Sequence, residues 1–225
     1  MIKTQDSKER YGMKFCDDTI KKFICDLESD LPAPGGGSVA GLIASLSGAL
    51  NSMVYSLTVG KKSYMALDEN TQNMIKEFQE KSLEFSQRSL DIMDEDRENF
   101  LKLMDCYKMP KESEDEKEIR KKAVRDNTIK SMEAPLALAR ECMNFYDNLK
   151  IMAEYGNKML LSDLGISAIL LHSAIESSIV NVKVNLNSLR NEEFFNELDQ
   201  EIKDILKKSL EEKNKIYEIV DKVIY

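Results

Sequence analysis

The sequence contains one histidine, His172, in 225 residues. A zinc site made of His and Cys ligands has little to draw on, and a Ser-His-Asp triad would rest on that one side chain. His172 stands among Ile169, Leu170, Leu171 and Ala174, which reads as a structural or surface position. Cysteine supplies no metal motif either. Cys16, Cys25, Cys106 and Cys142 form no C-x-x-C pair and no zinc-like spacing. No signal peptide is legible at Met1-Ile-Lys, so these thiols are expected to be reduced and the protein cytoplasmic. No metal is expected. Proline is scarce, with four residues, and glycine is concentrated early, so long helices with few tight turns are expected. No strand-like alternation and no internal repeat stand out. A basic excess is missing too: 32 Lys and Arg against 40 Asp and Glu leave a formal charge of −8. That argues against nucleic acid as a partner, which needs a basic face. An anionic ligand must then be held by local lysines and helix ends.

One stretch stands out from this background. From Leu31 to Gly60 no residue is charged, although charged residues make up 32% of the chain. Pro32 and Pro34 forbid a helix just before Gly35, Gly36 and Gly37. Ser38 and the apolar residues behind it read as the first turn of a helix. Such a start offers free backbone N–H groups and a positive dipole end to an anion. The helix carries Val39, Leu42, Ile43, Leu46, Leu50, Met53, Val54 and Leu57 with Gly41, Ser45, Ser47, Gly48 and Ser52 between, a pattern expected to be buried on every face. Its length would suit a membrane span, but Asn51, Thr58 and several serines speak against one. Neither nucleotide-binding glycine fingerprint fits, since no strand precedes the glycines and no GK[ST] follows.

Taken in order, residues 1–14 read as a loose polar arm, followed by a helix capped by Asp17 or Asp18 with Ile20, Phe23, Ile24 and Leu27 on its apolar face. Lys61 and Lys62 follow the charge-free helix and either complement its dipole or face a ligand. A long helix is expected from about Asn70 to Tyr107. Its seam runs Ile75, Phe78, Ser82, Phe85, Ser89, Ile92, Asp96, Asn99 and Leu103, which turns Asp96 inward. Asp94 lies roughly 160° away on the helical wheel, toward another neighbour. Ser113 and Glu116 fit a capping box for the next helix, which Pro135 is expected to kink or break. Ser162 and Asp163 open a further helix, as caps or as functional groups. Asn181 and Asn185 share one face of it, and two amides on an apolar segment need partners. The stretch from Asn196 to Tyr225 is amphipathic. Residues 1–225 are expected to make one all-α domain, an up-and-down bundle of long helices around a buried central helix.

The stretch PAPGGGSVAG, followed by SLTVGKKSY, resembles the cyclodeaminase/cyclohydrolase family. That family includes the deaminase half of formiminotransferase-cyclodeaminase and stand-alone methenyltetrahydrofolate cyclohydrolases. The likeness continues in order through Asp94-Glu-Asp96 with Phe100, Met109-Pro-Lys111, Glu116-Lys117, Pro135-Leu136, Gly156-Asn157, Ser162-Asp163-Leu164 and Asn181-Val-Lys-Val-Asn185-Leu. The resemblance implies an enzyme that closes 5-formiminotetrahydrofolate to 5,10-methenyltetrahydrofolate with release of ammonia, or hydrolyses the methenyl ring. It also implies a homodimer and no cofactor beyond the tetrahydrofolate substrate. No formiminotransferase segment is fused to this chain, so a separate transferase is an expected partner. Asp96 is assigned the acid/base role, with Asp94 and Asp163 as the other candidate carboxylates. Gly35, Gly36, Gly37, Ser38, Lys61, Lys111 and Arg120 are candidates for the folate tail or pterin edge, and Asn157, Ser162, Asn181 and Asn185 for positioning. The same features also suit a non-catalytic folate-binding or helical assembly module.

Overall fold

The computed structural model describes residues 14–225. Among them are seven α-helices and no strand: α1 (Ile20–Leu27), α2 (Gly36–Ser56), α3 (Lys62–Met65), α4 (Glu69–Tyr107), α5 (Glu114–Tyr155), α6 (Leu161–Leu186) and α7 (Phe195–Ile224). The arm expected over residues 1–14 lies outside the described residues except for Lys14, which pairs with Asp91 at 3.0 Å.

Local chemistry sets most of the helix starts. Thr19 caps α1 by accepting from the Lys22 N–H; Asp18, one of the two expected caps, instead pairs with the Lys22 ammonium. Asp68 caps α4, and Ser113 and Glu116 form the expected capping box on α5. Neither Ser162 nor Asp163 caps α6, which begins at Leu161 without a capping side chain. Pro135 neither breaks nor ends α5: the helix runs through it, with Pro135, Leu136 and Leu138 all buried. Tertiary packing on both sides outweighs the missing backbone hydrogen bond.

Helices α2, α4, α5 and α6 make an up-and-down four-helix bundle, and α7 packs on the outer side of α5 and α6. Side-chain pairs fix the directions. Ser47 of α2 meets Ser167 of α6, Ser45 meets Ser86 of α4, and Asn148 of α5 meets Phe78 of α4. The core holds Tyr55, Ile75, Leu149, Met152, Leu164, Leu171 and Ile175, and Phe85 stacks on Phe145. Small residues on α2 bring it close to α4. A Cβ at Gly41 would lie 2.5 Å from Met93 Cγ and 2.9 Å from the Ser89 carbonyl oxygen.

The core also carries polar groups that bond to one another. Ser47 Oγ donates to the Ser167 carbonyl at 2.8 Å, and Ser167 Oγ returns the bond to Ser47 at the same distance. The Asn148 amide donates to Phe78 O and Ser82 Oγ, Asn51 also donates to Ser82, and the Tyr55 hydroxyl donates to Asn148 O at 2.9 Å. His172 Nδ1 lies 2.8 Å from Ser209 Oγ, which also meets the Tyr146 hydroxyl, so the single histidine joins α6 to α7. That is the structural role expected of it.

Helix α2 is buried toward α4, α5 and α6, but a stripe on it is uncovered. Leu46 is 49% exposed, Met53 36% and Leu57 42%; beside them on α6, Ile166 is 48% exposed and Ile169 43%. The expectation of burial on every face therefore holds only toward the core, because none of the described helices covers the outer side of α2 and α6. Both segments are long and apolar enough to cross a membrane, yet Ser47 and Asn51 of the first and Ser167 of the second bond inside the bundle.

Replacing Asn148 with Ala removes two donors from the buried layer and is expected to cost about 2–4 kcal/mol. Lys121→Ala, on an exposed face, is expected to stay within about 0.5 kcal/mol. Urea unfolding midpoints of the two variants check this.

Candidate active site

A cavity of about 390 Å³ opens where the N-terminus of α2, the C-terminal half of α4, the middle of α5 and the C-terminal end of α6 meet. Its walls include Gly35, Gly36, Gly37, Ser38, Asp96, Phe100, Tyr107, Thr128, Ser131, Asn181 and Asn185. The bundle topology explains the meeting. Antiparallel neighbours put the start of α2 beside the late parts of α4 and α6, so residues far apart in sequence share one end.

The α2 wall supplies donors. The first helical bond is Val39 N–H to Gly35 O at 3.0 Å, so the N–H groups of Gly36, Gly37 and Ser38 have no helical acceptor, and no side chain caps the end. Among the described residues only Gly60 has positive φ, so the three glycines are not required for a left-handed backbone. At Gly36 a Cβ would meet Asn181 Oδ1 at an ordinary 3.5 Å. Gly37 differs: a Cβ there would fall 2.1 Å from Asp96 Oδ2 and 2.3 Å from its Cγ. The glycine at 37 makes room for the carboxyl of Asp96 against the start of α2.

That carboxyl makes no hydrogen bond or ion pair with any described residue. Arg97 also lines the cavity, but its guanidinium pairs with Asp94 at 3.2 Å and lies 4.5 Å from the centre of the Phe15 ring. Burial without a counter-charge pushes the Asp96 carboxyl up to about 6. Such a group is divided between acid and base near neutral pH. The α6 wall supplies acceptors. Asn181 Nδ2 donates to Ser177 O at 2.9 Å, and Asn185 Nδ2 donates to Asn181 O at 3.2 Å and to Ser131 O at 3.4 Å. With the NH₂ groups so engaged, the Oδ1 atoms are left to accept.

The remaining sequence candidates fall elsewhere. Asp94 is buried outside the cavity, where it accepts from the Phe15 N–H at 3.1 Å and ties the turn at Phe15–Asp17 to α4. Burial raises its pKa, against the opposing pull of that N–H and of Arg97. Arg120 donates to the Tyr107 carbonyl at 3.2 Å and so supports the wall from behind. Lys111 is exposed in the connection between α4 and α5. Lys61 stands just before α3 without a capping bond, the Asn157 N–H donates to Thr58, and Ser162 and Asp163 stand in the first turn of α6. These four lie at the opposite end of the bundle; from Asp163 to Asn181 the axis of α6 runs on the order of 27 Å at ~1.5 Å per residue. Sequence reasoning missed Tyr107, Thr128 and Ser131, three ordinary-looking residues on amphipathic helices. Only Ser131 carried a signal, its position four residues before Pro135.

Unbonded helix-start N–H groups, amide oxygens and a carboxyl with a raised pKa share one cavity, the equipment of a helical acid–base enzyme. Among the described residues no group of three or more His, Cys, Asp or Glu is placed to hold a metal ion. Residues 19–204 match the family model described as Formiminotransferase-cyclodeaminase, so the chain belongs to that family. It is similar to a methenyltetrahydrofolate cyclohydrolase of Methylorubrum extorquens, at 32% identity over 90% of this chain and 96% of that protein. It is also 33% identical to the formimidoyltransferase-cyclodeaminase of Gallus gallus over 79% of its length, and it spans 32% of that longer protein. The crystal structure of a formiminotetrahydrofolate cyclodeaminase from Thermotoga maritima superposes with a TM-score of 0.73 at 26% identity, covering 92% of this chain and 96% of that one. The chain is thus an enzyme of the folate one-carbon cyclodeaminase and cyclohydrolase kind.

Holding a carboxyl with a raised pKa costs stability once it ionises. The unfolded chain releases this proton near the usual 3.8, the folded one only at about 6, so stability falls as pH rises between those values. Asp96→Asn is expected to melt higher than the parent at pH 7, by on the order of 1–2 kcal/mol after screening by cavity water. The gain should shrink toward zero below about pH 4. Thermal melts across that range check it.

Proposed function

We propose that the chain is a cyclodeaminase that closes 5-formiminotetrahydrofolate to 5,10-methenyltetrahydrofolate and ammonia. The observation that carries this reading is the Asp96 carboxyl, set in the cavity wall without an ion pair to any described residue and pushed by burial up to about 6. In the reaction the second folate nitrogen attacks the formimino carbon and loses its proton, and the amine on that carbon must gain one before it leaves as ammonia. One carboxyl near both nitrogens takes the first proton and delivers the second. As the carboxylate it also favours the methenyl cation. The free N–H groups of α2 face an anionic or carbonyl edge, and the oxygens of Asn181 and Asn185 face the ring's N–H donors. The chemistry needs neither a metal nor a cofactor beyond the folate. Hydrolysis of the methenyl ring to 10-formyltetrahydrofolate is the second reading, favoured by the end-to-end likeness to the Methylorubrum extorquens cyclohydrolase. As a cyclodeaminase the chain would draw on a separate formiminotransferase, in the cytoplasm and in histidine degradation.

The uncovered face of α2 and α6 supports a homodimer. It is apolar along its middle, and an axis lying across the helices would set the cavity end of one copy against the Lys61 and Asp163 end of the other. Under this reading the residues that miss the cavity in one chain reach that of its partner.

Both substrates assayed on one preparation separate the two reactions. Asp96→Asn is expected to lower the preferred turnover by about 10²–10⁴ while the fold persists, and chelators are expected to leave the rate unchanged. Near-native turnover by Asp96→Asn would move the role to another carboxyl, and folate binding without turnover would leave a binding module. Mixing Asp96→Asn with Asp163→Asn subunits should restore about a quarter of parental activity, one intact site in each mixed dimer. A monomer in sedimentation, or no recovery on mixing, rejects the shared site.

A further inference from the structure

The middle of α5 holds a buried proline. Pro135 has no N–H, so the carbonyl of Ser131, four residues earlier, has no helical donor. Ser131 is buried and lines the cavity. Its free carbonyl receives Asn185 Nδ2 from α6 at 3.4 Å, and its hydroxyl donates to the Asn99 carbonyl of α4 at 3.1 Å, one turn beyond Asp96. The Asn99 amide in turn donates to Lys130 O at 3.3 Å. Three helices are thus joined at the level of the cavity, and the link from α5 to α6 uses the carbonyl that Pro135 leaves without a helical donor.

We infer that Pro135 is a positioning residue: it releases the Ser131 carbonyl to hold the Asn185 amide with its oxygen toward the cavity, so that this wall accepts from N–H donors of the ligand. An asparagine side chain can present either its oxygen or its NH₂. Engaging the NH₂ with Ser131 O and Asn181 O removes that choice before the ligand arrives. A residue with an N–H at position 135 would take the Ser131 carbonyl back into the helix and let the amide rotate, presenting a donor where the ligand also has one. The role proposed for the wall rests on the folate reading above; the fixed amide does not.

The inference separates from general helix effects because Pro135→Ala favours the helix. If the proline is only tolerated, the variant is as stable as the parent or more so, with unchanged binding. If it positions Asn185, KM for the folate substrate rises about tenfold, as for one lost hydrogen bond, while kcat stays within about twofold. The double variant Pro135→Ala/Asn185→Leu should then show no higher KM than Asn185→Leu alone. Asn185→Asp, which keeps the acceptor oxygens but loses the donor to Ser131, should raise KM as well, and it decides the matter if Pro135→Ala does not fold. A readout independent of turnover is the Asn185 side-chain NH₂ signal in ¹⁵N NMR, assigned by its absence from Asn185→Leu and expected to shift in Pro135→Ala. An unmoved signal, an unchanged KM in Pro135→Ala or Asn185→Asp, or additive effects in the double variant overturns the inference. If the parent turns over neither substrate, the folate reading fails and the NMR signal alone decides for or against the fixed amide.

Discussion

The site depends on how closely α2 lies against α4. Gly37, Gly41 and Gly48 each leave space that a Cβ would fill with atoms of α4. At Gly41 and Gly48 the space is taken by Met93 and Phe85, and at Gly37 by the carboxyl of Asp96. The same approach therefore packs the core and enters the site, where it presses an acid against a helix start. A helix N-terminus favours the charged form of such an acid, but burial wins here and the carboxyl is pushed up to about 6. An aspartate that stays partly protonated near neutrality comes from that contest.

The sequence made Asp96 legible because the seam of α4 is regular. Ile92, Asp96, Asn99 and Leu103 follow one face, and an acid on that face has to enter the bundle. Asn181 and Asn185 were legible for the same reason, being one turn apart on an apolar helix. What could not be read was which end of the bundle each motif occupies. Lys61, Asn157, Ser162 and Asp163 are as conspicuous in sequence as Gly37, yet they lie at the far end, in connections or in the first turn of α6. Their separation follows from the alternating direction of the helices, which spacing along the chain does not express.

Two local expectations failed, one to a neighbouring side chain and one to tertiary packing. Asp18 has the chemistry of an N-cap, but the Lys22 ammonium engages it and Thr19 takes the cap. Pro135 carries a helix-breaking signal, but burial of its neighbours on both sides keeps α5 continuous. In the second case the conflict falls at the cavity wall, where the carbonyl left without a helical donor receives the Asn185 amide. Gly36 shows the converse: its neighbours leave room for a Cβ, so the glycine run has one sterically demanding member at the cavity rather than three.

The reciprocal bonds between Ser47 and Ser167 sit well below the cavity, yet they bear on how finely it can be adjusted. Each serine donates to the carbonyl of the other, a match that exists at one alignment of α2 with α6 only. Sliding one helix past the other by a single turn, about 5.4 Å, would unpair both hydroxyls inside the core. It would also carry Gly36 away from Asn181. The pair thus works like the notch of a ruler: it offers the ligand nothing, but it sets the zero from which the donors of α2 and the acceptors of α6 are measured.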